Sequence, residues 1–116
     1  MESNLCEIPM VKIIWHDNAT FMLGYHLEYA RIEFGESTMK RWRTEVAAFE
    51  ERVRQFPESY PPEALLKDKP VVYRFRHLMN KRFKLIYFYD ESESTIHVID
   101  IWDSKMSPET LIKRIR

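Results

Sequence analysis

Apolar and polar positions follow three rhythms along this chain, and each predicts a different kind of element. Val11-Lys12-Ile13-Ile14-Trp15 is a short run rich in β-branched residues and reads as a strand. From Ala19, the apolar residues Leu23, Leu27, Ala30 and Phe34 recur at helical spacing, predicting a helix over 19–34 with Asp17 or Asn18 as its N-cap. Gly35 supplies the positive-φ position that ends such a helix. Ser37 or Thr38 restarts the chain, and Met39, Trp42, Val46, Phe49, Val53 and Phe56 follow in steps of three and four on one stripe. Pro57 and then Pro61-Pro62 stop this second helix at Phe56 and open a loop over 57–70. The rhythm then changes to that of strands. VVYRFRHL, FKLIYFYD and TIHVIDIW are separated only by short polar pieces, which predicts a three-stranded antiparallel meander. A last short helix starts near Ser107-Pro108-Glu109 and includes Leu111, Ile112 and Ile115.

With only Gly35 and Glu36 as spacer, the two helices must form an antiparallel hairpin, and its apolar stripe needs a flat surface to cover. The sheet is the one candidate, so the fold class is α+β. At 116 residues the chain has room for one domain, assigned to 11–116 behind a ten-residue N-terminal extension. A hydrophobic share of 45%, with 14% aromatics, is ample for its core.

Eighteen basic residues balance eighteen acidic ones, so attraction to nucleic acid or to an anionic membrane has to come from a local patch. The first hairpin of the meander is such a patch, gathering Arg74, Arg76, Lys81, Arg82 and Lys84. A single Cys6 cannot form an internal disulfide, and no Cys/His spacing resembles a zinc site, so neither metal nor cofactor is expected. MESNLCEIPM lacks a positive leader and no window approaches membrane-spanning length, which points to a cytoplasmic protein. Two glycines exclude a glycine-rich phosphate loop.

Several strings taken in order resemble the RelE/ParE superfamily of type II toxin-antitoxin toxins. They are VKIIWHDNA at the first strand and helix start, a helical hairpin ending in FPESYPP, the YRFRH strand, the central FKLIYFYD, and the exit IHVIDIWDSKMSP. The resemblance covers 11–116. It implies a small bacterial toxin held inactive by a cognate antitoxin that wraps the helical hairpin or the sheet. RelE-like members cleave messenger RNA on the ribosome, whereas ParE-like members poison DNA gyrase.

A metal-free ribonuclease needs convergent cations around a phosphate and a proton carrier. Arg74 and Arg76 lie two apart on a strand and so share a face. The resemblance matches them to the basic pair of RelE-like toxins, and it matches Lys84 and Lys105 to two arginines of those toxins. Both lysines give up bidentate phosphate recognition. Where nucleases of the family carry a tyrosine in the last helix, this chain has Leu111. His97 is the candidate replacement proton carrier, with His77 on the strand face opposite the arginines. Within the helical stripe, which is core before anything else, Trp42, Val46, Phe49 and Val53 are the candidates for an antitoxin-covered surface. The missing tyrosine tips the expectation toward a gyrase-directed toxin, with a ribosome-dependent ribonuclease and a non-toxic plasmid-maintenance module as alternatives.

Overall fold

The computed structural model describes residues 11–115, so the N-terminal extension assigned to 1–10 lies outside the described residues. Four strands and three helices follow in the order β1 (Lys12–Trp15), α1 (Asp17–Phe34), α2 (Glu36–Gln55), β2 (Arg74–Leu78), β3 (Phe83–Asp90), β4 (Thr95–Asp103) and α3 (Pro108–Arg114). The α+β class and the antiparallel β2-β3-β4 meander are as the sequence predicts. No helix among the described residues is long and apolar enough to cross a membrane.

The helix boundaries differ from the sequence reading for local reasons. Helix α1 starts two residues early, at Asp17, with His16 at the cap in extended backbone and no side-chain cap bond. Neither Asp17 nor Asn18 is therefore the cap. Asp17 instead sits in the first turn, where a carboxylate suits the positive end of the helix dipole. Gly35, at φ 97°, is the whole connection between the helices. Its N–H reaches the carbonyls of Ala30 and Arg31, and α2 begins at the next residue rather than at Ser37 or Thr38. Helix α2 ends at Gln55, leaving Phe56 exposed instead of continuing the buried stripe.

The sheet order is β1-β4-β3-β2, with β1 parallel to β4 and the other pairs antiparallel. One face packs on the helical hairpin, through Leu85, Tyr87, Ile96, Val98 and Ile101 against Ala19, Ala30, Trp42, Phe49 and Val53. The other face is covered by α3 and the short turn Ala64–Leu66, where Leu66, Leu111 and Ile115 meet Tyr73, Ile86 and Trp102. Burial on both faces explains why β3 and β4 read as nearly continuous apolar runs. A bulge between Ile86 and Tyr87 shifts the register, pairing Ile86 with Asp100 and Tyr87 with Val98. Ile99 is thereby left without a partner on β3.

Candidate functional site

Alternation along β2 keeps Arg74 and Arg76 on one face, and that face is the one beneath the helices. Arg76 Nη1 donates to the Glu45 carbonyl of α2 at 2.7 Å, and Arg74 Nη1 donates to the Tyr60 carbonyl at 2.9 Å. Opposite them in register are Leu85 and Tyr87, both in the helix-side core. These two guanidinium groups therefore stitch the start of β2 to the hairpin and to the loop after it.

Lys84 precedes Leu85 and so points to the other side of the sheet. Its Nζ lies 2.6 Å from Oε1 of Glu63, a carboxylate only 3% exposed, and 4.4 Å from the centre of the Phe75 ring. His77 is directly across the ladder, edge-on to the same ring, with a buried Nδ1 that has no hydrogen-bond partner among the described residues. Burial, and then the Lys84 charge, lower the His77 pKa. Lys84 and His77 thus form a small polar group on the face opposite the two arginines.

His97 is on the Lys84 side of the sheet but at its other end. It pairs with Phe88 and stacks on that ring at 4.7 Å, four β3 positions from Lys84, or about 13 Å along the strand. Its Nδ1 meets His16 Nε2 at 2.9 Å, so one imidazole donates and the other accepts. Burial lowers the His97 pKa, and the neighbouring His16 adds to the shift. Lys105 lies in the exposed turn after β4, where its backbone N–H binds Asp103 Oδ1 at 2.9 Å. Asp103 also accepts two bonds from Arg82, which holds its carboxyl below the usual range. The five sequence-predicted catalytic residues therefore occupy several separate places and surround no common point.

Compared with protein-family models and with curated proteins, the chain matches none.

Trp42, Val46, Phe49 and Val53 are all less than a tenth exposed; Trp42, Phe49 and Val53 pack in the helix-side core, and Trp42 also lines the cleft described below. Their place is the core. Leu111 of α3 is buried against the sheet. Among the described residues no group of three or more His, Cys, Asp or Glu is placed to hold a metal ion.

Two features escaped the sequence reading. Asp100, fully buried in β4, forms an ion pair with Arg114 of α3. Burial raises its carboxyl pKa, while Arg114 and the nearby Asn18 amide pull the other way. A lone acid within the apolar run TIHVIDIW was the available signal, since a buried carboxylate requires a partner. The second is a cleft of ≈ 450 Å³ between the helical hairpin and the β2–β3 turn, walled by Tyr25, Tyr29, Phe34, Trp42 and Phe83. His26 lines it too, stacked on Trp42 at 5.3 Å, with a buried Nε2 that makes no hydrogen bond among the described residues. Burial lowers the His26 pKa, so the ring is neutral near pH 7. Met79, which also lines the cleft, opens a turn of three left-handed residues, Met79, Asn80 and Lys81. Glu45 and Arg41 hold that turn through the Met79 N–H and the Asn80 side-chain oxygen.

Proposed function

We propose that the chain is a toxin of the RelE/ParE kind, neutralised by a cognate antitoxin, which arrests growth by binding a protein target such as DNA gyrase rather than by cutting RNA. The order strand, helical hairpin, three-stranded meander and short helix is the order that this resemblance implies. The observation carrying the choice of mode is the division of the cations. Arg74 and Arg76 are spent on carbonyls beneath the helices, while Lys84 is spent on Glu63 across the sheet. A scissile phosphate held by one group is out of reach of the other, and transition-state charge stabilisation needs donors converging within hydrogen-bond distance. Leu111 in place of a hydroxyl aromatic removes a further proton carrier.

One observation favours the ribonuclease reading: His77, an imidazole of lowered pKa, sits across the ladder from Lys84. The test follows. The chain is expressed without a partner, and growth, messenger-RNA integrity and DNA damage are measured for the wild type and for His77→Ala/Lys84→Ala. Arrest with DNA damage and intact transcripts is expected, with the double variant still toxic. Cleaved transcripts that the double variant spares would replace this reading with the nuclease. Free growth of cells containing folded protein would remove the toxin reading altogether.

A further inference from the structure

Two imidazoles meet where β1 hands over to α1. His16 Nε2 and His97 Nδ1 are 2.9 Å apart in space and 81 positions apart in sequence. Regular elements hold both residues. His97 lies within β4, its ring stacked on Phe88 with the two planes 12° apart. The backbone N–H of His16 donates to the Val98 carbonyl at 2.9 Å, which fixes the point from which its exposed ring projects. Although His16 stands at the cap position of α1, its side chain makes no cap bond, so the helix leaves the ring free for His97.

A hydrogen bond between neutral imidazoles places one proton between the two nitrogens. Moving that proton to the other nitrogen of its own ring leaves two lone pairs facing one gap, with no change in charge. Metal ions bind imidazole in this neutral form, with metal–nitrogen bonds of about 2.0–2.1 Å. Two such nitrogens at a right angle around one ion are about 2.9 Å apart, whereas at the tetrahedral angle they are about 3.3 Å apart. The observed spacing is that of adjacent corners of a square, the geometry in which nitrogen and oxygen ligands hold Cu²⁺ or Ni²⁺. Ring centres 5.1 Å apart and planes 71° apart set the imidazoles nearly head-on. A pivot of the exposed His16 ring turns both lone pairs onto one ion while His97 stays on Phe88.

The electrostatics suit a cation. Burial lowers the His97 pKa and keeps that ring neutral near pH 7, and the carboxylate of Asp90 acts on it from the end of β3. We propose that His16 and His97 chelate a square-planar divalent ion, Ni²⁺ or Cu²⁺, with water in its remaining positions on the solvent side. Bound there, the ion staples the start of α1 to the strand that pairs with β1. Because the unfolded chain holds the two rings 81 positions apart, the ion favours the folded state. This site is independent of the chain's target in the cell.

Calorimetric titration of the full chain with NiCl₂ near neutral pH tests the proposal. One ion per chain is expected. His16→Gln, at an exposed position, and His97→Phe, which keeps a ring on Phe88, should fold with the circular dichroism of the wild type. Each should weaken nickel binding by about tenfold or more. In thermal melts, NiCl₂ at a hundredfold excess over its dissociation constant should shift the wild-type folding equilibrium about a hundredfold toward the folded state, and both variants should lose this shift. Cys6, His77 and the chain's N-terminal amine remain in both variants, so an ion held by any of these keeps its affinity. Binding that either folded variant retains at wild-type strength overturns the proposal. A wild type that takes up no nickel at millimolar concentration overturns it too.

Discussion

Arg114 Nη2 lies 2.5 Å from Oδ1 of Asp100, tying the last helix to the middle of β4 through a carboxylate with no exposed surface. Removing the cation leaves that charge buried without its partner, so Arg114→Ala should cost about 3 kcal/mol near pH 7 in urea denaturation. The loss should shrink on acidification, as the carboxyl takes up a proton.

The same carboxyl gives a pH signature of its own. Its folded pKa is raised by burial, so the folded state holds this proton more tightly than the unfolded state does. Its stabilising contribution is complete below the ordinary Asp value and is lost as pH rises through the elevated one. Asp100→Asn should flatten that part of a stability-against-pH curve, and an unchanged curve would contradict the raised pKa.

The histidines act in the opposite direction. His26, His77 and His97 all have lowered pKa values, with burial as the largest cause, so the unfolded chain binds their protons first. Stability should therefore fall as pH drops below the ordinary value of 6.5 toward the lower folded values. His97→Phe keeps a ring stacked on Phe88 and should remove part of that fall in thermal melts between neutral and mildly acidic pH.

Phe49 is fully buried between Tyr60 and Tyr87, so Phe49→Ala should cost about 3–5 kcal/mol by chemical denaturation. A partner-facing role would show instead as weaker antitoxin binding at unchanged stability.

Ser94 adopts left-handed backbone at φ 49° in the β3–β4 turn, and among the described residues its side chain makes no hydrogen bond. Ser94→Gly relieves left-handed strain of about 1–2 kcal/mol against an added backbone-entropy cost of about 0.5–1 kcal/mol, so a small rise in melting temperature is expected. At Asn80, also left-handed, the side chain accepts a bond from Arg41, so glycine there gains less.

Elements set by neighbouring residues were legible in the sequence. Gly35, Pro57 and the polar turns punctuate the chain within a residue or two of the observed boundaries, because helix ends and hairpins are decided locally. The site was less legible. Alternation correctly puts Arg74 beside Arg76 but says nothing about which face of the sheet they take. That choice rests on Glu45 and Tyr60, whose carbonyls come from elsewhere in the chain. Lys84 likewise depends on Glu63, buried in a loop that reads as ordinary polar connection. The helical stripe was right as core from Trp42 to Val53 but not at its ends: Met39 is only half-buried, and at Phe56 the proline after it turns the chain away before the ring can reach the sheet.

The parallel pairing of β1 with β4 joins Ile13 to Ile96, almost the full length of the chain apart. During synthesis the first strand waits without a hydrogen-bonded neighbour until the last strand has left the ribosome. Closing this ladder costs more loop entropy than closing the hairpins of the meander, whose strands are neighbours in sequence. A chain truncated before Thr95 would lose both the strand that pairs with β1 and the centre of the helix-side core.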